Sequence, residues 1–481
     1  MKSIKKNYIY NLTYQLLIMI APLITTPHVC EVLGSAGNGV YSYTFSVVSF
    51  FALFAALGIT TYGQREISYV RDSREKTSQV FWETKTLEII TSSLVLGVYL
   101  LFVLVLFKSG NKNSMCYLVL SCEILSVLCD VSWLFQGIEE FKKIATRNVV
   151  IKIISIIYIF AMVNSKDDVL IYILGTTLFN FISNVWLWVY LPKYVDKPKF
   201  RDIKPFRNIK IVGALFIPTI AIQIYTVLDK TMIGLITHNN SENGYYDKAI
   251  LISKVTLTII TSLGAVMIPR IGYYFNKGDK EQINQYLYKV FNYVWFAGIP
   301  LTFGLAGTAS NFVPWFLRGD FAPTIGLIKI LSFLVVIIGL SNVTGLQYLI
   351  PTKRENSYTK TVIMGSVINF LLNLILIRLF ASTGAAIASV AAEISVTAMQ
   401  MYIVRKEIPL KPVFKLSIKY LVAGIVMFVA LKLAGQHLSP SMIHTAIMVA
   451  GGMIVYFGML LILKDQFLGM VLNRVLKRKQ G

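Results

Sequence analysis

The chain has 481 residues, 55% of them hydrophobic and only 15% charged. Soluble domains average about 25% charged residues, so this chain lacks the polar surface that two or three water-soluble domains would need. Lys and Arg outnumber Asp and Glu by 46 to 24, a net charge of +22 that suggests nucleic acid unless the placement of the charges says otherwise.

Taken in order, the chain begins with Lys2, Lys5 and Lys6 ahead of an apolar run from about Tyr8 to Leu33. That run has no small-residue cleavage site, so it reads as a retained first helix and not as a secretory signal. Apolar stretches bounded by charged or turn-forming clusters predict spans near 8–33, 40–62, 87–107, 115–137, 148–163 and 169–191. After a basic connector come spans near 211–237, 246–268, 290–309, 323–350, 358–380 and 383–403, then 416–435 and 441–463. About fourteen spans of roughly 20 to 24 residues, the length that crosses a bilayer core, leave connectors too short for a folded extramembrane domain. Cys30, Cys116, Cys122 and Cys129 lie in or beside these spans without metal-ligand or disulfide spacing, and read as small buried apolar residues.

The positive-inside rule tests the span count, because a correct count makes Lys and Arg alternate between sides. One side collects the clusters at 2–6, 65–85, 142–147, 193–210, 270–289, 353–360, 405–419 and 464–479, which hold 35 of the 46 basic residues. The other holds Lys108, Lys112, Lys166, Lys248 and Arg318. Both termini are therefore expected in the cytoplasm and the span number is even. The basic residues form no single patch, which argues against nucleic acid, and the run Lys477 to Lys479 reads as an anchor at anionic headgroups.

Sliding the chain by 205 residues brings Gly39, Tyr41 and Arg65 onto Gly244, Tyr246 and Arg270, with Gly58 one position from the register of Gly264. Six spans lie between, so the halves share an orientation, an arrangement found in transporters with the substrate path between the repeats. Pro22 and Pro27 interrupt the first span and Pro218 the seventh, its counterpart. A proline removes a backbone donor, so each is either a static bend or a hinge for alternating access.

Ionisable residues within spans each cost about 2.5 to 3.5 kcal/mol at the bilayer centre and are expected to face the interior. Lys230, Lys254 and Lys329 sit in the outer third of spans 7, 8 and 10, and a shared aqueous cavity is the economical place for them. Lys152, Arg378 and Lys432 lie near span ends, where long stems reach headgroups. The acidic set is Glu88, Glu123, Asp130, Asp229 and Glu393. Glu123 and Asp130, seven apart on span 4, are expected to share a face that suits ion coupling. Asp229 is either part of that chemistry or simply paired with Lys254. Glu393 follows a run of small residues from Gly384 to Ala392, and is either a coupling carboxylate or a local lock. His28, His238, His437 and His444 are scattered, so no metal is expected, and no phosphate-loop or nucleotide-fold glycine pattern implies a cofactor.

The first half carries Leu33-Gly34, Gly39-Val40-Tyr41, Gly58, Gly63-Gln64-Arg65-Glu66-Ile67 and the stretch from Trp133 to Glu139. The second half carries the stretch from Tyr225 to Lys230 with Gly234, then Gly244-Tyr245-Tyr246, Pro269-Arg270, Gln347 to Pro351, and Gly384-Ala385-Ala386 through Glu393. Taken together these motifs resemble the Wzx-type polysaccharide flippases of the multidrug/oligosaccharidyl-lipid/polysaccharide exporter superfamily, which includes the MATE transporters. The last two helices are unmarked. The resemblance implies an all-α polytopic membrane protein of about 14 transmembrane helices. Two six-helix bundles, 1–204 and 205–403, would form a V around a central cavity, with helices 13 and 14 and a tail in 404–481.

The resemblance also implies an undecaprenyl-pyrophosphate-linked oligosaccharide as cargo, moved to the outer leaflet of a bacterial plasma membrane for capsule, exopolysaccharide or O-antigen, alongside a polysaccharide polymerase. The candidate substrate contacts are Lys230, Lys254, Lys329 and Arg378. The candidates for ion coupling or internal pairing are Glu123, Asp130, Asp229 and Glu393, and the candidate hinges are Pro22, Pro27 and Pro218. Lipid II flippases are marked by cavity arginines on helices 1 and 2, and those helices carry no Arg or Lys within the span here. Drug or cation exporters match the Trp133 and Gln347 segments less well. A membrane polymerase or ligase would present a long extracytoplasmic loop, whereas the longest here is near 310–322.

Overall fold

A computed structural model describes residues 4–198, 203–262 and 264–470, without the side chains of 4–19, 218, 221, 222, 224, 225, 265 and 266. The Pro218 side chain, those of Lys2, Lys5 and Lys6, and the tail cluster at 474–479 lie outside that description. The described residues form sixteen α-helices. They are α1 (Ile4–Ala56), α2 (Ile59–Val70), α3 (Arg74–Lys108), α4 (Ser114–Cys129), α5 (Ser132–Gly137), α6 (Phe141–Met162), α7 (Val169–Trp188) and α8 (Ile209–Thr237). The series continues with α9 (Asn240–Thr261), α10 (Gly264–Asn276), α11 (Lys280–Phe316), α12 (Thr324–Leu331), α13 (Leu334–Thr344), α14 (Glu355–Val404), α15 (Leu410–His437) and α16 (Met442–Ile462). Among the described residues, ten helical stretches are long and apolar enough to cross a membrane. In hydrocarbon every backbone group must be satisfied within the chain, which leaves helix as the spanning solution for a fold without a closed barrel.

Two of the long helices are hairpins. In α1 the break is Gly34, at φ 63 and ψ −175. Beyond it Asn38 Nδ2 donates to Val29 O at 3.2 Å and to Gly34 O at 2.7 Å. Nine residues of continuous helix would rise about 13.5 Å, so the chain turns back at Gly34. Pro22 and Pro27 lie inside α1, half-buried, and the helix passes through both. In α14 the break is Ala381, at φ 48 and ψ −129. A Cβ on Gly384 would fall 2.0 Å from Leu376 O, an approach that eight residues of unbroken helix, about 12 Å, would forbid. With these reversals the helical segments follow the predicted spans in order. They also overrun them at the basic end: α3 starts at Arg74 because Ser73 Oγ caps Lys76 N, and α11 starts at Lys280 because Asp279 Oδ1 accepts from Gln282 N at 3.0 Å.

The chain groups into two compact units, Met1–Gly244 and Tyr245–Gly481. In the first, α1 packs against α3, α4, α6, α7 and α8, and α2 against α3, α5 and α8. One core gathers Val48, Tyr99, Tyr117, Leu120 and Ile173, and another surrounds Trp133 with Phe81, Phe135 and Leu187. In the second, α11 packs against α10, α12, α13, α15 and α16, while α12 and α13 pack against α14. Hydrogen bonds fix the last two helices to α11: Tyr420 Oη of α15 donates to Asn292 Oδ1 at 2.5 Å, and on α16 Tyr456 Oη donates to Phe296 O at 3.0 Å while Thr445 Oγ1 accepts from Trp315 Nε1 at 2.8 Å. Leu94, Leu101 and Val105 on α3 remain exposed, as expected of a face turned to lipid.

Candidate functional site

The most deeply buried charges lie where α3 passes α4. Lys85 is fully buried and Glu88 is 1% exposed, and Lys85 Nζ donates to Glu88 Oε2 at 2.8 Å. The same ammonium donates to Leu128 O at 2.7 Å and Asp130 O at 2.8 Å, which uses all three of its protons, and lies 5.5 Å from the Trp188 ring centre. The carbonyls at the end of α4 have no partner within the helix, and Lys85 supplies one. Lys85 therefore does not belong with the loop cations at 65–85, as the sequence suggested; it is an internal strut. Asp130 stands one residue past α4, at φ −69 and ψ 126, and its Oδ1 accepts from Ser132 N at 2.8 Å to start α5. Glu123, within α4, accepts from Asn180 Nδ2 of α7 at 2.9 Å. The break at Asp130 replaces the shared helical face expected for these two carboxylates.

The remaining candidates are spread over several elements. Asp229 is buried and Lys230 half-buried on α8, where consecutive positions point about 100° apart. Lys254 is exposed on α9, Lys329 is exposed in the last turn of α12, and Arg378 is exposed three residues before the Ala381 reversal. Glu393 is buried in the second segment of α14.

In the second unit, the helix after α13 widens into a π turn at Gly345–Leu349, which buries Gln347 and Tyr348. A buried chain of polar groups lies beside it: Thr344 Oγ1 donates to Gln400 Oε1 at 2.7 Å, and Gln400 Nε2 donates to Thr361 Oγ1 at 3.2 Å. Below it Tyr348 Oη donates to Glu407 Oε2 at 2.6 Å, and Arg354 holds both oxygens of Glu407 at 2.8 and 2.9 Å.

In the first unit, the stretch from Trp133 to Glu139 folds as α5 against α2, and Glu139 Oε1 lies 2.6 Å from Arg71 Nη1. That hydrogen bond and charge raise the guanidinium pKa. Nearby, burial first and Glu140 second push the Tyr194 phenol well above its ordinary value. Two recesses open at this basic end, of about 510 and 410 Å³. Both are lined by Gln79, Glu83 and Arg207, the larger also by Trp82 and Lys204, and the smaller by Tyr62 and Glu66. None of these lining residues was a sequence candidate, because α3 joins them to α2 and to the chain entering α8, more than 100 residues later.

A family described as polysaccharide biosynthesis protein matches residues 4–275. A protein of Escherichia coli (strain K12), provisionally named an O-antigen transporter, is 23% identical over 405 residues, covering 84% of this chain and 97% of its own. A protein of Shigella dysenteriae with the same provisional name is 19% identical over 399 residues, covering 80% and 96%. Among solved structures, the lipid II flippase MurJ in an inward closed conformation aligns with a TM-score of 0.70 at 17% identity, covering 96% of this chain and all of that one. An inward-facing multidrug resistance transporter of the MATE family aligns at 0.62 and 12% identity, covering 84% and 95%. The chain is thus a multi-pass membrane protein with the fold of these two transporters.

Proposed function

Because the chain belongs to the polysaccharide biosynthesis protein family, we propose that it is a flippase, which carries undecaprenyl-pyrophosphate-linked oligosaccharide from the cytoplasmic to the outer leaflet of a bacterial plasma membrane. The observation that carries this reading is the family match joined to a transporter fold along nearly the whole chain. The chemistry agrees: a sugar head on a pyrophosphate is barred from hydrocarbon and needs polar groups along its path. The protein works as a transporter and not as an enzyme. Alternating access is carried by two six-helix lobes, 1–204 and 205–403, with 404–481 as an added pair of helices and a tail. Both termini face the cytoplasm, as the alternation of basic clusters predicts. Lys230, Lys254, Lys329 and Arg378 are proposed substrate contacts, each on its own evidence of a cation within or at the end of a span. Glu123, Asp130, Asp229 and Glu393 are proposed for coupling or internal pairing, and Pro22, Pro27 and Pro218 as hinges. A polysaccharide polymerase is the partner that takes up the product.

Deletion of the gene should abolish surface polysaccharide and leave its lipid-linked precursor inside the cell. Reintroduced wild type should restore the polymer, and Lys254→Ala should not, at equal protein level in the membrane. Intact polymer in the deletion strain would refute the reading. Rescue of cells depleted of their lipid II flippase would move the substrate to lipid II.

A further inference from the structure

We propose that the recess at the basic end of the first unit, built by α2, α3 and the chain entering α8, is a saccharide-binding site that takes the polyhydroxylated head of the cargo before translocation. The proposal rests on the flippase reading above and adds to it a subsite and the residues that form it.

The recess has the size of a small-molecule site, with volumes of about 510 and 410 Å³ on either side of Gln79, Glu83 and Arg207. Trp82 forms a fixed wall. Its Nε1 donates to Asp196 O at 2.8 Å, and its ring meets Phe81 edge-on at 5.1 Å between centres. A ring immobilised from behind is ready to receive the apolar C–H face of a pyranose. Glu83 is buried, yet it lines both volumes and accepts from Gln79 Nε2 at 3.3 Å. Carboxylate, amide and guanidinium thus stand side by side, two of them with the planar two-pronged geometry that suits neighbouring hydroxyls.

Charge narrows the ligand class. The carboxylates of Glu75, Glu83 and Asp196 and the cations of Lys197, Lys204 and Arg207 line the larger recess together, and Asp196 Oδ1 also accepts from Arg74 Nε at 2.8 Å. With signs balanced, the site selects neither a simple anion nor a simple cation. A hydroxyl, which both donates and accepts, satisfies such a mixed lining, and a sugar ring carries several.

The test is made in the cell that makes the protein, so that the cell's own lipid-linked pool is the probe. A photo-crosslinking amino acid at Gln79 is expected to give an adduct on the full-length protein that loses its lipid pyrophosphate and keeps the saccharide mass after mild acid cleavage of the sugar–pyrophosphate linkage. The same adduct should vanish with Trp82→Ala. In strains with equal membrane levels, Trp82→Ala and Glu83→Gln should each lower surface polymer by about tenfold, while Trp82→Phe, which keeps a ring but not the N–H, should retain it within about twofold. If Trp82→Ala lowers the protein level, the near-isosteric Glu83→Gln decides. A phospholipid adduct at position 79, no adduct there while position 254 crosslinks, or full polymer in Glu83→Gln would overturn the subsite and leave the flippase reading standing. Intact polymer on gene deletion would overturn both.

Discussion

Gly39 and Gly244, 205 residues apart, meet backbone against backbone. A Cβ on Gly39 would lie 1.6 Å from Asn240 O and 3.1 Å from Gly244 N, and a Cβ on Gly244 would lie 2.1 Å from Ser35 O. The two glycines hold the same place in the sequence repeat, each near the start of a helical segment, so the repeat brings its own equivalent positions into contact. Small residues allow such close helix crossings in membranes. The obstructing atoms are backbone, which cannot swing aside, so relief requires the helices to part. Gly39→Ala and Gly244→Ala should each destabilise the protein by about 1–3 kcal/mol or more. Thermal unfolding in detergent measures this, with Gly97→Ala as the control, since nothing lies within 4 Å of a Cβ there. Unchanged midpoints in both variants would contradict the crossing.

The Lys85–Glu88 pair should behave as a buried charge pair. Each partner is at most 1% exposed. Removing one leaves the other charge buried, at a cost of about 3–5 kcal/mol, whereas replacing both with apolar residues of similar size costs far less. Lys85→Met should be the worse single change, because it also strips the Leu128 and Asp130 carbonyls of their donor. A double-mutant cycle with Glu88→Leu, read by thermal unfolding, should show strong coupling; additive effects would mean that the two act separately.

The Arg354–Glu407 pair should matter much less. Its side chains are 29% and 41% exposed, and solvent screens such pairs to about 0–1 kcal/mol. Arg354→Ala should shift the thermal midpoint only slightly. Glu407→Leu should cost more, since it also takes the acceptor from the buried Tyr348 hydroxyl. Equal losses from the two would show that the tyrosine contributes nothing.

The sequence carries the fold largely through what a bilayer demands. Apolar run lengths locate the helices. The repeat is visible again in the element bounds: α9 and α10 begin 205 residues after Ser35 and Ile59, where the second segment of α1 and the helix α2 begin. Hydropathy was misled where a charge is satisfied internally. Lys85 reads as a loop cation because nothing nearby in sequence reveals that two carbonyls more than forty residues later need a donor. Asp130 reads as a helical residue because α4 ends without proline or glycine, on a turn made by its own carboxylate. The recess around Trp82 was invisible for a different reason: its walls come from four separate stretches, and none has a motif of its own.

Asp168 gives a pH test outside the membrane segments. It precedes α7, yet its carboxylate points back into the loop, where Oδ2 accepts from Asn164 N at 2.8 Å and from Ser165 N at 2.7 Å. These backbone donors favour the charged form and hold the carboxyl below its ordinary value. A depressed folded pKa means that the stabilisation is complete above the unfolded value, about 3.9, and is lost as pH falls through the folded value. The amides of the 164–168 turn should therefore keep their protection from exchange between about pH 8 and 5, and lose it only in acid below about 4. Asp168→Asn keeps one acceptor oxygen but no charge, and should loosen the same turn at neutral pH while leaving α7 helical. Hydrogen exchange with mass spectrometry, corrected for intrinsic rates, reads both effects. Wild-type protection in Asp168→Asn at neutral pH would show that the turn is held by its backbone alone.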